Sequence, residues 1–157
     1  MIEFTQLYFR LDSTTRTNEK VAALVDYFEL AQPVDAIWAI HFLMGRRLKR
    51  LIGVRKLAEW AVEKAGIADW LFDECYDRVG DLAETISLIL PPGENLRPVQ
   101  LSRLVEESLL PMQSMEENEK RDSVLQLWQR FDQPQLFVLG KLITGGFRVG
   151  VSRKLVT

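Results

Sequence analysis

The chain has one cysteine, Cys75, and one histidine, His41, in 157 residues. A single cysteine excludes an internal disulfide framework and points to a reducing compartment, with the cytoplasm as the expected location. The two residues cannot assemble a zinc site, which wants about four nitrogen or sulfur ligands. Nothing in their spacing sets His41 to activate Cys75 as a nucleophile. Both therefore read as packing residues, His41 as a half-buried and satisfied one. No apolar run approaches the ~20 residues that cross a bilayer. The opening Met1-Ile2-Glu3-Phe4-Thr5 lacks the basic-then-apolar pattern of a signal peptide. No repeat of about 20–50 residues is present, and no low-complexity tract. Alternating apolar residues run no further than Phe147 to Val151, so strands are at most minor.

What is present is ordinary globular material: 47% hydrophobic and 27% charged residues, enough for one domain over residues 1–157. A net charge of −2 and a pI near 5.5 argue mildly against a nucleic-acid binder. The mean conceals segregation. Arg46, Arg47, Lys49, Arg50, Arg55, Lys56 and Lys64 face only Glu59 and Glu63, whereas Asp69, Asp73, Glu74, Asp77, Asp81 and Glu84 face Arg78 alone. A basic face can thus coexist with an acidic total. The carboxylates of 69–84 lie at helical spacing and read as a wetted face before they read as metal ligands or an acid–base pair.

Apolar spacing predicts helices almost throughout. Phe4, Leu7, Tyr8 and Leu11 mark the first. Thr17 is the expected N-cap of the second, with Val21, Leu24, Val25 and Phe28 on its apolar face. Pro33 starts the third, which carries Ile37, Trp38, Ile40 and His41 and ends near Gly45. The basic stretch from Gly45 to Gly53 is too short for more than a loop or one turn. Val54, Leu57, Ala58, Ala61 and Val62 form the next stripe, closed by Gly66. Trp70, Leu71, Cys75 and Val79 predict a helix ending at Gly80, and Leu82, Ile86 and Ile89 another, with Gly80-Asp81 a tight corner and Asp81 an N-cap. Pro91-Pro92-Gly93-Glu94-Asn95 is a surface connection. Val99, Leu101, Leu104 and Val105 open a helix stopping near Pro111. Val124, Leu127, Trp128 and Phe131 face inward on the next, and Asp132 with Pro134 starts one bearing Leu136, Leu139, Leu142 and Ile143. Most of the four tryptophans read as core. The expectation is an all-α domain of about eight helices.

The richest stretch for binding is Gly145-Gly146-Phe147-Arg148-Val149-Gly150-Val151-Ser152-Arg153-Lys154. Its three glycines allow sharp turns and close backbone approach, and no acid follows Asp132. Ser152 stands as an N-cap whose neighbours leave amides free. Glycines, amides and cations together suit phosphate oxygens. A helix C-cap at Gly145 followed by a solvated basic segment is the plainer alternative.

Several stretches resemble the N-terminal DNA-binding domain of bacterial and archaeal-type ATP-dependent DNA ligases: Phe4-Thr5-Gln6-Leu7 with Thr17-Asn18-Glu19-Lys20-Val21, Ala39 to Gly45, Asp69-Trp70-Leu71-Phe72, Gly80 to Ile86, and Lys141 to Val151. The resemblance implies a two-lobed helical domain that grips nicked double-stranded DNA across the minor groove without sequence preference, serving DNA repair, replication or recombination. By matching position it implies phosphate contacts from Gly146, Arg148, Gly150 and Ser152 and from the Gly80-Asp81 corner, and the positive charge of Arg153 adds it to the expected DNA-binding residues. It implies a second phosphate-facing loop at Arg46, Arg47, Lys49, Arg50, Arg55 and Lys56. No lysine here stands in the Lys-x-Asp-Gly context that receives AMP. The resemblance therefore places no catalytic residue and no metal or other cofactor on this chain. It assigns ATP and Mg2+ to a parent enzyme, whose adenylylation and OB-fold domains would be partners. No membrane association and a monomeric state are expected. A helical protein–protein interaction module with basic segments meeting an acidic partner is the rival reading. An independent enzyme is weaker, for want of an assembled nucleophile, base or metal set.

Overall fold

The computed structural model describes residues 1–48, 51–93, 98–145 and 147. Among these residues the chain is helical with no strand. The helices are α1 (Ile2–Asp12), α2 (Thr17–Leu30), α3 (Pro33–Leu43), α4 (Val54–Ala65), α5 (Asp69–Val79), α6 (Leu82–Ile89), α7 (beginning at Leu101–Arg103), α8 (Glu117–Trp128) and α9 (Gln133–Thr144). The punctuation follows local chemistry. Pro33 and Pro134 sit in first turns, where no N–H is needed. Asp81 and Asp132 accept hydrogen bonds from the third residue on, Glu84 and Gln135, at 3.3 and 3.1 Å.

α6 and α9 form the most extensively packed helix pair. Gly140 permits it: a β-carbon there would stand 2.9 Å from that of Ala83. α4 and α5 lie against α6 and α8 against α4, while α1 lies against α9 and α2, and α3 against α7. The break at Pro91-Pro92-Gly93 is pinned to the α8–α9 connection, the Gly93 N–H donating to Phe131 O at 2.8 Å.

Several details differ from expectation, among them α5, where Phe72 is buried and the expected Trp70 and Leu71 are exposed. Thr17 is the first residue of α2 rather than its cap. Arg16 takes the cap position, and the Thr14 hydroxyl accepts from Arg16 N at 3.1 Å and donates to Glu19. The buried stripe of α2 is Ala23, Leu24 and Tyr27, with Val21 and Val25 exposed. Small Ala23 lets α1 approach, and the Tyr27 ring reaches Phe4 edge-on at 6.2 Å. On α3, Ile37 is exposed and Ala39, Phe42 and Leu43 are buried. α7 does not stop at Pro111. It widens into a π-helical stretch, Leu104–Leu109, where the Leu110 N–H reaches back to Val105 O, then tightens into a 3-10 turn, Leu110–Ser114. Pro111 lies in the first turn of that segment, where its missing N–H does least harm.

Candidate nucleic-acid interface

The last turn of α9 is where separate predicted segments meet. Gly145 closes the helix in the left-handed region, φ 74°, its N–H donating to Lys141 O. Two residues on, Phe147 is buried, stacked on Phe4 at 5.3 Å and tilted against Tyr8 at 5.0 Å. The start of the glycine–arginine stretch is thus fixed on one side by a helix cap and on the other by an aromatic anchor. The plainer reading of Gly145 as a C-cap is correct, and it sets the position of the turn.

Against that turn lies the loop after α3. Gly45 takes φ 79°, and Arg46 N donates to His41 O at 3.2 Å, which turns the chain off the helix end. Leu48, Leu51 and Ile52 are buried and hold the loop down. Lys120 Nζ adds a bond to Leu51 O at 2.7 Å. Arg46 and Arg47 face solvent. The aliphatic stem of Arg47 lies on Gly145, so that a β-carbon there would meet Arg47 Cδ at 2.8 Å. Neither arginine has a carboxylate partner among the described residues.

The Gly80-Asp81 corner is tied to the last turn of α9 through Lys141. Gly80 caps α5 at φ 78°. Asp81 caps α6 and also accepts from Lys141 Nζ at 2.8 Å, with both side chains mostly covered. Its carboxylate is therefore committed to holding the corner on α9. Lys141 was not among the expected site residues, although a lysine in a helix's last turn is a recognisable signal.

Arg55 and Lys56 differ from Arg46 and Arg47 in having carboxylate partners. They occupy the first turn of α4, where the helix field disfavours cations. Arg55 pairs with Glu59 at 3.5 Å, and Lys56 pairs with Glu59 at 3.4 Å and Glu117 at 3.7 Å. Lys49, Arg50, Gly146, Arg148, Gly150, Ser152 and Arg153 lie outside the described residues.

His41 departs from expectation. It is half-buried but not satisfied among the described residues, where its Nε2 is covered and has no hydrogen-bond partner. The ring stands edge-on to Trp38 and Phe42, at 5.5 and 5.3 Å. Burial, and secondarily the nearby Arg46 charge, holds its pKa below the ordinary histidine value. Cys75 is half-buried and unbridged. Among the described residues no His, Cys, Asp or Glu cluster could hold a metal, and no helix is long and apolar enough to cross a membrane.

A comparison with curated proteins finds no match. The family model described as the DNA ligase N terminus matches residues 1–157, from the first residue of the chain to the last. The helical fold accords with it, and the chain belongs to that family, the N-terminal domain of ATP-dependent DNA ligases.

Proposed function

We propose that this domain binds nicked duplex DNA through backbone phosphates in the minor groove and holds the nick for sealing by the other domains of the ligase. The observation that carries the reading is the packing of Arg47 on Gly145. It sets one exposed guanidinium with no carboxylate partner among the described residues beside the turn where the glycine–arginine stretch begins, with exposed Arg46 next to it in the chain. Cations spaced along a rigid turn suit phosphate oxygens, which fix a protein's register on a duplex and carry no base information. A ligase must accept any sequence, and contacts of this kind allow that. The binding energy acts by position, holding the 3′-hydroxyl and 5′-phosphate ends in reactive alignment for a catalytic domain.

On this reading Gly146, Arg148, Gly150, Ser152 and Arg153 extend the phosphate contacts of Arg46 and Arg47, and Gly80 contributes backbone at the adjoining corner. Asp81 serves indirectly, by fixing that corner. ATP, Mg2+ and the adenylylated lysine belong to the catalytic domains of the parent enzyme.

The test is fluorescence anisotropy with nicked, intact and single-stranded DNA over a salt series. Nicked duplex should bind most tightly, and log affinity should fall with log salt by roughly 0.9 per phosphate neutralised. A folded domain that binds none of the three, or whose binding ignores salt, would falsify the reading.

A further inference from the structure

The outward face of α5 has no role inside the molecule. Phe72 is the one buried residue of the helix. Trp70 points the opposite way and is 68% exposed. The other tryptophans are in use: Trp60 and Trp128 are buried, and Trp38 donates its indole N–H to Glu106 at 3.2 Å. Trp70 makes no ring contact or hydrogen bond among the described residues.

At roughly 100° per residue, Glu74 and Asp77 share the stripe of Trp70, at i+4 and i+7, with Asp73 on its flank. All three acids are exposed. None has an ion-pair partner among the described residues, unlike Glu59, Glu63 and Glu117. An exposed indole with unpaired carboxylates one and two turns along its stripe, against the single cation Arg78, disfavours a phosphodiester chain or an anionic membrane surface. What it attracts is a cation. The face of an indole is the best aromatic surface for one. A guanidinium suits this site better than an ammonium, because it can lie flat on the ring while its edge donates two parallel N–H bonds to a carboxylate.

We propose that Trp70, Glu74 and Asp77 form a docking surface for an arginine-bearing segment of a protein partner, the guanidinium stacked on the indole and paired with the carboxylates. Along α5 the indole of the site stands about 15 Å from Gly80, at the end of the helix away from the Gly80-Asp81 corner, and the carboxylates lead back toward that corner.

The test is anisotropy of a fluorescent arginine–glycine peptide titrated with the whole chain at low salt, beside a matched lysine–glycine peptide. The arginine peptide should bind several-fold more tightly than the lysine peptide. Trp70→Ala, and separately the pair Glu74→Gln and Asp77→Asn, should each weaken it about tenfold. Removing the same charge elsewhere, with Glu116→Gln and Glu119→Gln, should leave binding unchanged. The circular dichroism and DNA affinity of Trp70→Ala should match the parent chain. No binding of the arginine peptide, equal binding of the two peptides, or undiminished binding by a folded Trp70→Ala variant would each overturn the proposal.

Discussion

The side chain of Arg47 rests on Gly145, the left-handed cap that ends α9. The contact joins a cationic loop to the end of a helix far along the chain, and it depends on the absence of a β-carbon.

Gly145→Ala should therefore fail in two ways. A side chain at φ 74° costs about 1–2 kcal/mol, and each 1 kcal/mol lowers the melting temperature of a domain this size by roughly 2–4 °C. The new methyl also displaces Arg47. Gly145→Asn separates the effects, because asparagine tolerates left-handed geometry. It should recover most of the stability and still bind DNA less tightly. If Gly145→Asn bound DNA like the parent chain, the Arg47 contact would have no part in binding.

Asp81 combines a helix cap with a cross-helix ion pair to Lys141. Asp81→Ala should cost about 1–2 kcal/mol, roughly 1 from the cap and up to about 1 from the partly covered pair. A double-mutant cycle with Lys141→Met, followed by urea denaturation, isolates the second part. Strictly additive losses would show that the pair contributes nothing to stability.

Gly140 and Ala83 set the spacing of α6 and α9. Gly140→Ala should lower stability by about 1–3 kcal/mol through overpacking, and Ala83→Gly in the same chain should return part of it. A Gly140→Ala variant with an unchanged melting temperature would mean that the two helices have room to part.

The helix ends were readable because each carries its own chemistry: Gly66 and Gly80 as C-caps, Asp81 and Asp132 as N-caps, Pro33 and Pro134 in first turns. The buried faces were less readable. Val21 and Val25 fit a helical stripe as well as Ala23 and Tyr27 do, and only the approach of α1 decides between them. Pro111 looked like a stop because a change of helical pitch leaves no mark in a residue list. At the candidate interface, the basic residues from Arg46 to Lys56 formed one cluster in sequence. The fold divides the described members into Arg46 and Arg47, without carboxylate partners, and Arg55 and Lys56, tied to Glu59 and Glu117. The pairs with Glu59 lie at i+4 and i+3 within α4 and are open to a reading of spacing, whereas the Lys56–Glu117 pair depends on the contact between α4 and α8, which spacing cannot supply. The exposure of Trp70 was hidden for the same reason.

His41 makes stability depend on pH below neutrality. Its folded-state pKa is lowered, so near its ordinary value of about 6.5 the unfolded chain binds more protons than the folded one. The stability linked to neutral His41 is complete above that value and is lost as pH falls through the lowered one. His41→Phe should flatten the decline of the urea midpoint between about pH 7 and pH 5. An equally steep decline in the variant would place the proton uptake elsewhere, on the carboxylates.

The division of the basic residues makes the sharpest prediction about DNA. A cation already paired within the protein must leave its carboxylate to meet a phosphate, and a cation without such a partner need not. Arg47→Ala should weaken binding to nicked duplex by on the order of 1–3 kcal/mol and reduce the log–log salt slope by about 0.9. Arg46→Ala should act in the same direction. Arg55→Ala removes a guanidinium paired with Glu59 and should change affinity by less than about 1 kcal/mol. Parallel salt titrations of the three variants read both quantities at once. If Arg55→Ala lost more slope than Arg47→Ala, the phosphate-facing surface would centre on the start of α4 rather than on the turn at Gly145.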